Sequence, residues 1–207
     1  MELCLEPKRW AGAAGRARAA FAAVLLAAPG ALLAADGLRV EAVRSGSGVA
    51  VSASAGIHAP LDIIWSTLTD YEHLPEFIPG IRQSRVVGRR GEAAIVEQKG
   101  EAGVLFFTFP IRVTVESAEY PPHTITIRVL SGNLKQLDGR YQLERVGGDE
   151  DFILRWRGII EPDVSLPAFI TVPLMRANIE DQFTGMVREI ERRGLLRRRK
   201  ASLAKPE

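Results

Sequence analysis

The alternation of hydrophobic and polar residues is clearest between Leu105 and Val115, where every second residue is apolar. This period is typical of a strand that buries one face in an antiparallel sheet. Similar alternation predicts further strands from residue 38 to residue 160, joined by turns rich in Gly, Pro and Asn. Pro110 lies on the longest strand and lacks an N–H, which predicts a bulge or a sheet edge there.

The start of this run of strands has two interpretations. Residues 38–44 and 49–57 flank the sequence Ser45-Gly46-Ser47-Gly48. Such a stretch is typical of a hairpin turn, but it also fits a kink within one long first strand.

Two short helices interrupt the strand pattern between residues 59 and 80. The first is predicted from apolar residues spaced i, i+3, i+4 and i+7, with Pro60 at its start. These residues are Leu61, Ile64, Trp65 and Leu68. Residues 71–77 predict a second short helix, which Pro79-Gly80 ends.

A long helix is predicted from about residue 167 to residue 193, with Gly194 as its C-terminal cap. Pro173 predicts a kink or the true start of this helix. Its apolar stripe consists of Val172, Met175, Ile179, Phe183, Met186 and Ile190. A helix of about 20 residues spans about 30 Å and can bury its stripe across a concave sheet. The pattern thus predicts an α+β helix-grip fold: a curved seven-stranded antiparallel sheet around a long C-terminal helix, with two short helices after the first strand.

The N-terminal 35 residues differ in kind from the rest. Four basic residues precede the apolar, small-residue stretch 19–35, an order that is typical of a cleaved signal peptide. We therefore predict a signal peptide over residues 1–35 with cleavage near Ala35, a ligand-binding domain over 36–194 and a basic tail over 195–207. The protein is predicted to be periplasmic or secreted.

Composition and charge argue against several classes of function. Removing residues 1–35 takes away four basic and two acidic residues and leaves 23 of each, so the charge balance does not suggest binding to nucleic acid. The single cysteine, Cys4, lies in the predicted signal peptide, so the mature chain can form no disulfide and offers no thiol nucleophile. The basic tail predicts, at most, contact with anionic lipid.

The histidines and serines do not have the sequence spacing that a metal site, a cofactor site or a nucleophile elbow requires. The three histidines, His58, His73 and His123, stand apart in sequence, so we predict no metal site and no cofactor. No serine lies in the Gly-x-Ser-x-Gly pattern of a nucleophile elbow. Asp70, His73 and Tyr71 at the junction of the short helices, and Tyr141 on an inward face, are the remaining candidates for acid–base chemistry; capping and core packing are their structural alternatives.

The helix pair carries a resemblance to a known family. Residues 65–71, Trp-Ser-Thr-Leu-Thr-Asp-Tyr, followed by 74–79, Leu-Pro-Glu-Phe-Ile-Pro, resemble the polyketide cyclase/dehydrase and coenzyme Q-binding START-like families of the SRPBCC superfamily. The resemblance covers about residues 40–193. It implies a deep apolar cavity between the sheet and the long helix, which holds a lipid, a quinone, a polyketide or a similar molecule.

Aromatic and apolar side chains on the inward faces are the predicted lining of this cavity, although ordinary core packing is the alternative for each. They are Trp65, Phe77, Phe107, Phe109, Ile127, Tyr141, Trp156, Met175, Ile179 and Phe183. Gly139 and Gly158 also fall on inward faces, where glycine either lets the sheet bend or leaves room for a ligand.

Three functions remain open at this point. The preferred one is an exported binder or carrier of a hydrophobic small molecule, without catalysis. The alternatives are a cyclase or dehydratase that acts on a polyketide-like substrate in the same cavity, and a membrane-associated module with a filled core. An inward-facing His–Asp or Arg–Tyr pair would favour the enzyme. A cavity lined by apolar atoms would favour the carrier, and a core without a cavity would favour the membrane-associated module.

Overall fold

One antiparallel sheet, three α-helices and a 3₁₀ helix at Tyr71–His73 make up the described part of the computed structural model. The model describes residues 37–104, 107–164 and 166–204 but not the side chains of Val104 and Phe107. The strands are β1 (Arg39–Ser45), β2 (Gly48–His58), β3 (Ile81–Arg90), β4 (Ala93–Val104), β5 (Phe107–Tyr120), β6 (Thr124–Gly132), β7 (Leu134–Arg145) and β8 (Asp151–Pro162). The helices are α1 (Leu61–Leu68), α2 (Leu74–Phe77) and α3 (Ala168–Leu203). The strand order is β1-β2-β8-β7-β6-β5-β4-β3, which confirms the helix-grip fold.

The described sheet has eight strands where the sequence pattern predicted seven. The difference comes from the first 20 residues of the domain, which form a β1–β2 hairpin rather than one kinked strand. Gly46 in the two-residue turn has a φ of +60°, a left-handed conformation that glycine adopts without steric cost. The two short helices therefore follow the second strand, not the first.

Pro110 lies at a local sheet edge, one of its two predicted settings. β5 pairs with β4 from Phe107 onward, but its pairing with β6 includes only Val113 and the residues after it. The Asn133 side chain covers part of this free edge: its Nδ2 donates to the Pro110 carbonyl oxygen at 2.5 Å, and its Oδ1 accepts from the Arg112 N–H at 2.9 Å.

Helix α3 has 36 residues, which corresponds to a length of about 54 Å. It continues through Gly194, so this glycine is not the predicted cap, and residues 195–203 are helical. Gly194 is buried, and a Cβ there would lie 3.1 Å from the Ala59 Cβ, so glycine lets α3 pass close to the start of α1. Pro173 lies inside the helix and does not mark its start.

The core lies between the inner face of the sheet and the stripe of α3. The alternate residues of β2 from Val49 to Ile57 are all buried, as their period predicted. The α3 stripe is buried from Met175 to Ile190, and Val172 packs against the core from a partly buried position. No helix in the described ranges is both long enough and apolar enough to cross a membrane.

Candidate functional site: a cavity between the sheet and the long helix

A cavity of about 170 Å³ lies between the inner face of the sheet and α3. Strands β4 to β8 form its floor, α3 forms its roof, and residues from the segment 71–81 close one side. Its apolar lining includes Val96, Ile111, Val113, Val115, Leu137 and Ile160. These positions follow the period-2 alternation of the strands, which directs every second side chain inward.

Five of the ten predicted lining residues border this cavity. They are Ile127, Tyr141, Trp156, Met175 and Ile179. Phe109 borders a second, adjoining cavity instead. The side chain of Phe107 lies outside the described part of the chain.

The other three predicted residues pack around the cavity without bordering it. Phe183 lies behind Tyr141, with the two rings nearly parallel at an interplanar angle of 8° and a centroid separation of 6.5 Å. Phe77 contacts the Arg193 guanidinium, whose carbon lies 5.4 Å from the ring centroid. Trp65 packs against the core from a partly buried position on α1.

Gly139 and Gly158 leave room for the Trp156 ring rather than for a ligand. The two glycines are paired across β7 and β8 on the inward face. A Cβ on Gly139 would lie 3.0 Å from the Trp156 ring, and one on Gly158 would lie 2.8 Å from it. The indole therefore lies flat over the glycine pair, and the space that they leave is already filled.

Tyr141 provides a hydroxyl group with no hydrogen-bond partner among the described residues, although its ring borders the cavity. Burial raises the pKa of Tyr141 to about 12, so the group stays neutral and able to donate at any physiological pH. Tyr141 is only partly buried, so its hydroxyl is accessible to water or to a polar group of an occupant. Tyr141 can therefore offer a hydrogen bond to a ligand in the cavity.

Gln98 is a second polar side chain on the inner face of the sheet. It lies on β4 in phase with the buried residues Val96 and Ala102, and it too has no hydrogen-bond partner within the described ranges. Its cross-strand neighbour on β3, Ser84, has a buried hydroxyl that is likewise unpaired. Two strands therefore present unpaired neutral polar groups on one face.

Two amides on α3 also belong to the polar part of the lining. Gln182 Nε2 donates to Asn178 Oδ1 at 3.0 Å, and both residues border the cavity. Gln98, Asn178 and Gln182 were not among the predicted lining residues, which were all aromatic or apolar side chains. Their inward orientation was predictable from the sequence, since Asn178 and Gln182 follow Met175 at i+3 and i+7 on α3. Gln98 follows the alternation of inward residues on β4.

A hydroxyl pair borders the cavity near the short helices. Tyr71 donates from its hydroxyl to Glu119 Oε1 at 3.1 Å, and the Ser117 hydroxyl lies 2.9 Å from the same oxygen. Burial raises the pKa of Tyr71, and the neighbouring Glu119 carboxylate raises it further, against the bond with Ser117. These two hydroxyls are already paired, so they are less available to a ligand than Tyr141.

Charged side chains point away from the cavity. Lys99 and Glu101 contribute to its border, but they alternate with the inward residues of β4 and form ion pairs, Lys99 with Glu97 at 3.4 Å and Glu101 with Arg82. Within the described part of the chain, the interior is therefore lined by apolar and neutral polar groups. Such a lining favours an uncharged ligand, because an unpaired charge in this environment is costly.

The predicted acid–base candidates Asp70 and His73 lie outside the cavity border. His73 Nδ1 donates to Asp70 Oδ1 at 2.6 Å, and Arg193 donates to Asp70 Oδ2 at 2.9 Å. Burial raises the pKa of Asp70, but the bonds from His73 and Arg193 outweigh burial and lower it from its ordinary value. The bond with Asp70 raises the pKa of His73. Arg193 also donates to Glu189 at 2.7 Å. This cluster connects the junction of the short helices to α3.

Solved structures with the same fold include both enzymes and lipid-transfer proteins. The Zhui aromatase/cyclase from a Streptomyces species is 13% identical with a TM-score of 0.61, over 79% of this chain and 98% of that one. A STAR-related lipid transfer protein from Xanthomonas axonopodis is 12% identical with a TM-score of 0.58, over 76% and 95%. Human STARD10 is 10% identical with a TM-score of 0.58, over 82% and 79%. At these identities the similarity establishes the fold alone.

The sequence itself gives the closer assignment. No curated protein sequence matches the chain. The family model described as polyketide cyclase/dehydrase and lipid transport matches residues 57–187, more than half of the chain and all of the segment from the end of β2 to the middle of α3. The protein therefore belongs to the polyketide cyclase/dehydrase and lipid transport family.

Proposed function

We propose that this protein is an exported, non-catalytic binder or carrier of an uncharged hydrophobic small molecule, such as a lipid, a quinone or a polyketide-like compound. The observation that carries the proposal is an apolar cavity whose interior offers unpaired neutral polar groups at Tyr141 and Gln98 and directs its charged neighbours outward. Apolar burial supplies the affinity of such a site, and a few hydrogen bonds orient the ligand.

The volume of the cavity limits the size of the ligand that it can bind without rearrangement. An engineered cavity of about 150 Å³ binds benzene, whereas ligand pockets commonly have about 300–1,000 Å³. At about 170 Å³, this cavity accommodates one ring or a few methylene groups. A larger ligand needs either further space or movement of the α3 side chains.

A cyclase or dehydratase in the same cavity is the second candidate, and the fold shared with an aromatase/cyclase supports it. The arrangement of titratable groups favours binding instead. Asp70 and His73 form a pair outside the cavity border, and Tyr141 has no charged partner in the described residues that would make it a general acid or base. Tyr71 borders the cavity, but its hydroxyl already donates to Glu119 and its pKa is raised, so it is poorly suited to act as a base.

One benzoate ester and its matching acid test the preference for an uncharged ligand. We expect methyl benzoate, which has a single ring, to bind and benzoate to bind at least about 100-fold more weakly, because its carboxylate would be buried without a partner. The readout is the fluorescence of Trp156 in a Trp65→Phe background, since the mature chain then has no other tryptophan. Equal affinity for the two compounds, or no binding of the ester, would contradict the proposal.

Tyr141→Phe is the variant that probes the orienting bond. It should lower the affinity for the ester by about threefold to tenfold, the value of one hydrogen bond, and leave stability nearly unchanged because the hydroxyl has no protein partner. Tyr120→Phe, at an exposed tyrosine, is the matched control and should change neither quantity.

Export of the protein is a separate part of the proposal, since residues 1–36 lie outside the described ranges. It rests on the order of basic, apolar and small residues before Asp36. Periplasmic extraction followed by N-terminal sequencing should give mature protein that begins near Asp36. Recovery of the intact N-terminus from the cytosol would contradict export.

Contact of the C-terminal basic residues with an anionic membrane remains a prediction. Arg198 forms an ion pair with Glu150 at 2.6 Å, and Arg197 forms one with Asp62. Both pairs fasten the end of α3 to the domain. Arg199 and Lys200 are the residues of this run that are left to contact lipid phosphates.

A further inference from the structure

A second cavity of about 120 Å³ adjoins the first. It lies under the start of α3 and beside the free edge of β5. The residues that border it and not the first cavity include Phe109, Val164, Leu166 and Leu174. Asn133 also borders it, but both ends of its side chain amide are bonded to the backbone of β5. The second cavity therefore offers a mainly apolar wall.

The partition between the two cavities is thin. Four residues border both: Ala102, Ile111, Leu134 and Met175. Ala102 is small, and Met175 is an unbranched side chain with three rotatable bonds that adapts readily to a changed neighbour. Met175 is therefore the side chain of this partition that can change its rotamer most readily.

Connected to each other, the two cavities would have the volume of a small ligand pocket. The volumes of 170 and 120 Å³ together give about 290 Å³, which reaches the lower end of the range of about 300–1,000 Å³ that ligand pockets occupy. The polar groups, Tyr141 and Gln98, border the first cavity and not the second. The two spaces thus differ in the ligand chemistry that they favour.

We propose that the second cavity binds an apolar extension of the ligand, which passes Met175 from the first cavity. The ligand class is then an uncharged molecule with a hydrogen-bonding head, held near Tyr141 and Gln98, and a flexible apolar tail. This inference rests on the proposed function, because it assigns a second compartment to the same ligand.

A pair of neutral ketones with one head and two tail lengths tests the inference. In calorimetric titrations, wild type should bind hexanophenone about 100-fold more tightly than acetophenone, at roughly tenfold for every two methylene groups buried. Leu166→Trp, which places an indole in the second cavity, should remove this advantage and leave the affinity for acetophenone as in wild type. Val87→Trp, at an exposed position on β3, is the control and should preserve the advantage.

Val164→Asp gives the same test with less risk to folding, because Val164 is 52% exposed yet borders the second cavity. Its carboxylate should lower the affinity for the long ketone alone. Equal affinities of wild type for the two ketones, or equal losses of both in the variants, would overturn the tail site and leave the binding function intact. Failure of wild type to bind either ketone would overturn the binding function and the tail site with it.

Discussion

Ile179→Trp should leave the free energy of unfolding within about 1 kcal/mol of wild type while it lowers the affinity for a neutral ligand by at least about 100-fold. Ile179 lies on the α3 stripe and borders the first cavity. The indole would therefore enter space that the ligand otherwise occupies. In a solid core the same enlargement would cost about 1–3 kcal/mol through overpacking.

Ile190→Trp is the matched control for this substitution. Ile190 is the same residue type on the same helix, three turns further on, and it is fully buried without bordering the cavity. It should lose about 1–3 kcal/mol of stability and keep its ligand affinity if it folds. Chemical denaturation measures the stability of both variants, and titration with methyl benzoate measures their ligand affinity. A loss of stability in Ile179→Trp as large as in Ile190→Trp would mean that the interior is solid.

Gly185→Ala should destabilise the domain by about 1–3 kcal/mol, and more if the backbone cannot adjust. Gly185 is the point of closest approach between α3 and the connection after α2. A Cβ there would overlap the Phe77 carbonyl oxygen and lie 2.8 Å from Pro79 Cδ. The added methyl group would push the short helices away from α3 and widen the side of the cavity that residues 71–81 close.

Gly88→Ala is the control for the glycine substitution. Gly88 has open space where a Cβ would be, so alanine should be nearly neutral there. Thermal unfolding of the two variants and wild type is the measurement. Equal melting temperatures for Gly185→Ala and wild type would show that the short helices do not pack against α3 at this distance.

The secondary structure could be predicted from the local sequence because the spacing of apolar residues in each strand or helix identifies the face that is buried. Alternation along β2 and β5 and the helical stripe from Met175 to Ile190 predicted elements that the structure confirms. The number of strands was not predictable because the sequence Ser45-Gly46-Ser47-Gly48 permits either a kink or a hairpin. In the structure, Gly46 has a positive φ and forms the turn of a hairpin. Gly194 failed as a predicted cap because its role depends on Ala59, more than 130 residues away.

The cavity lining was harder to predict because it depends on how elements meet. Trp65 and Phe77 were predicted to line the cavity because they are aromatic, but they pack elsewhere in the core. Gln98 was not predicted because it is polar, but it borders the cavity from the inner face of the sheet. Gly139 and Gly158 suggested free volume, whereas the Trp156 indole covers them. Hydrophobic period identifies the inward face of a strand, but it does not tell which inward side chains leave space between them.

The most direct measurement for the central claim is methyl NMR of isoleucine- and methionine-labelled protein during titration with methyl benzoate. Ile127, Ile179, Met175 and Met186 border the cavity, whereas Ile64 and Ile190 are fully buried away from it. We predict saturable shifts of the first four methyl signals and little change in the other two. An absence of shifts at ligand saturation, or shifts confined to surface methyl groups, would contradict a ligand-binding cavity.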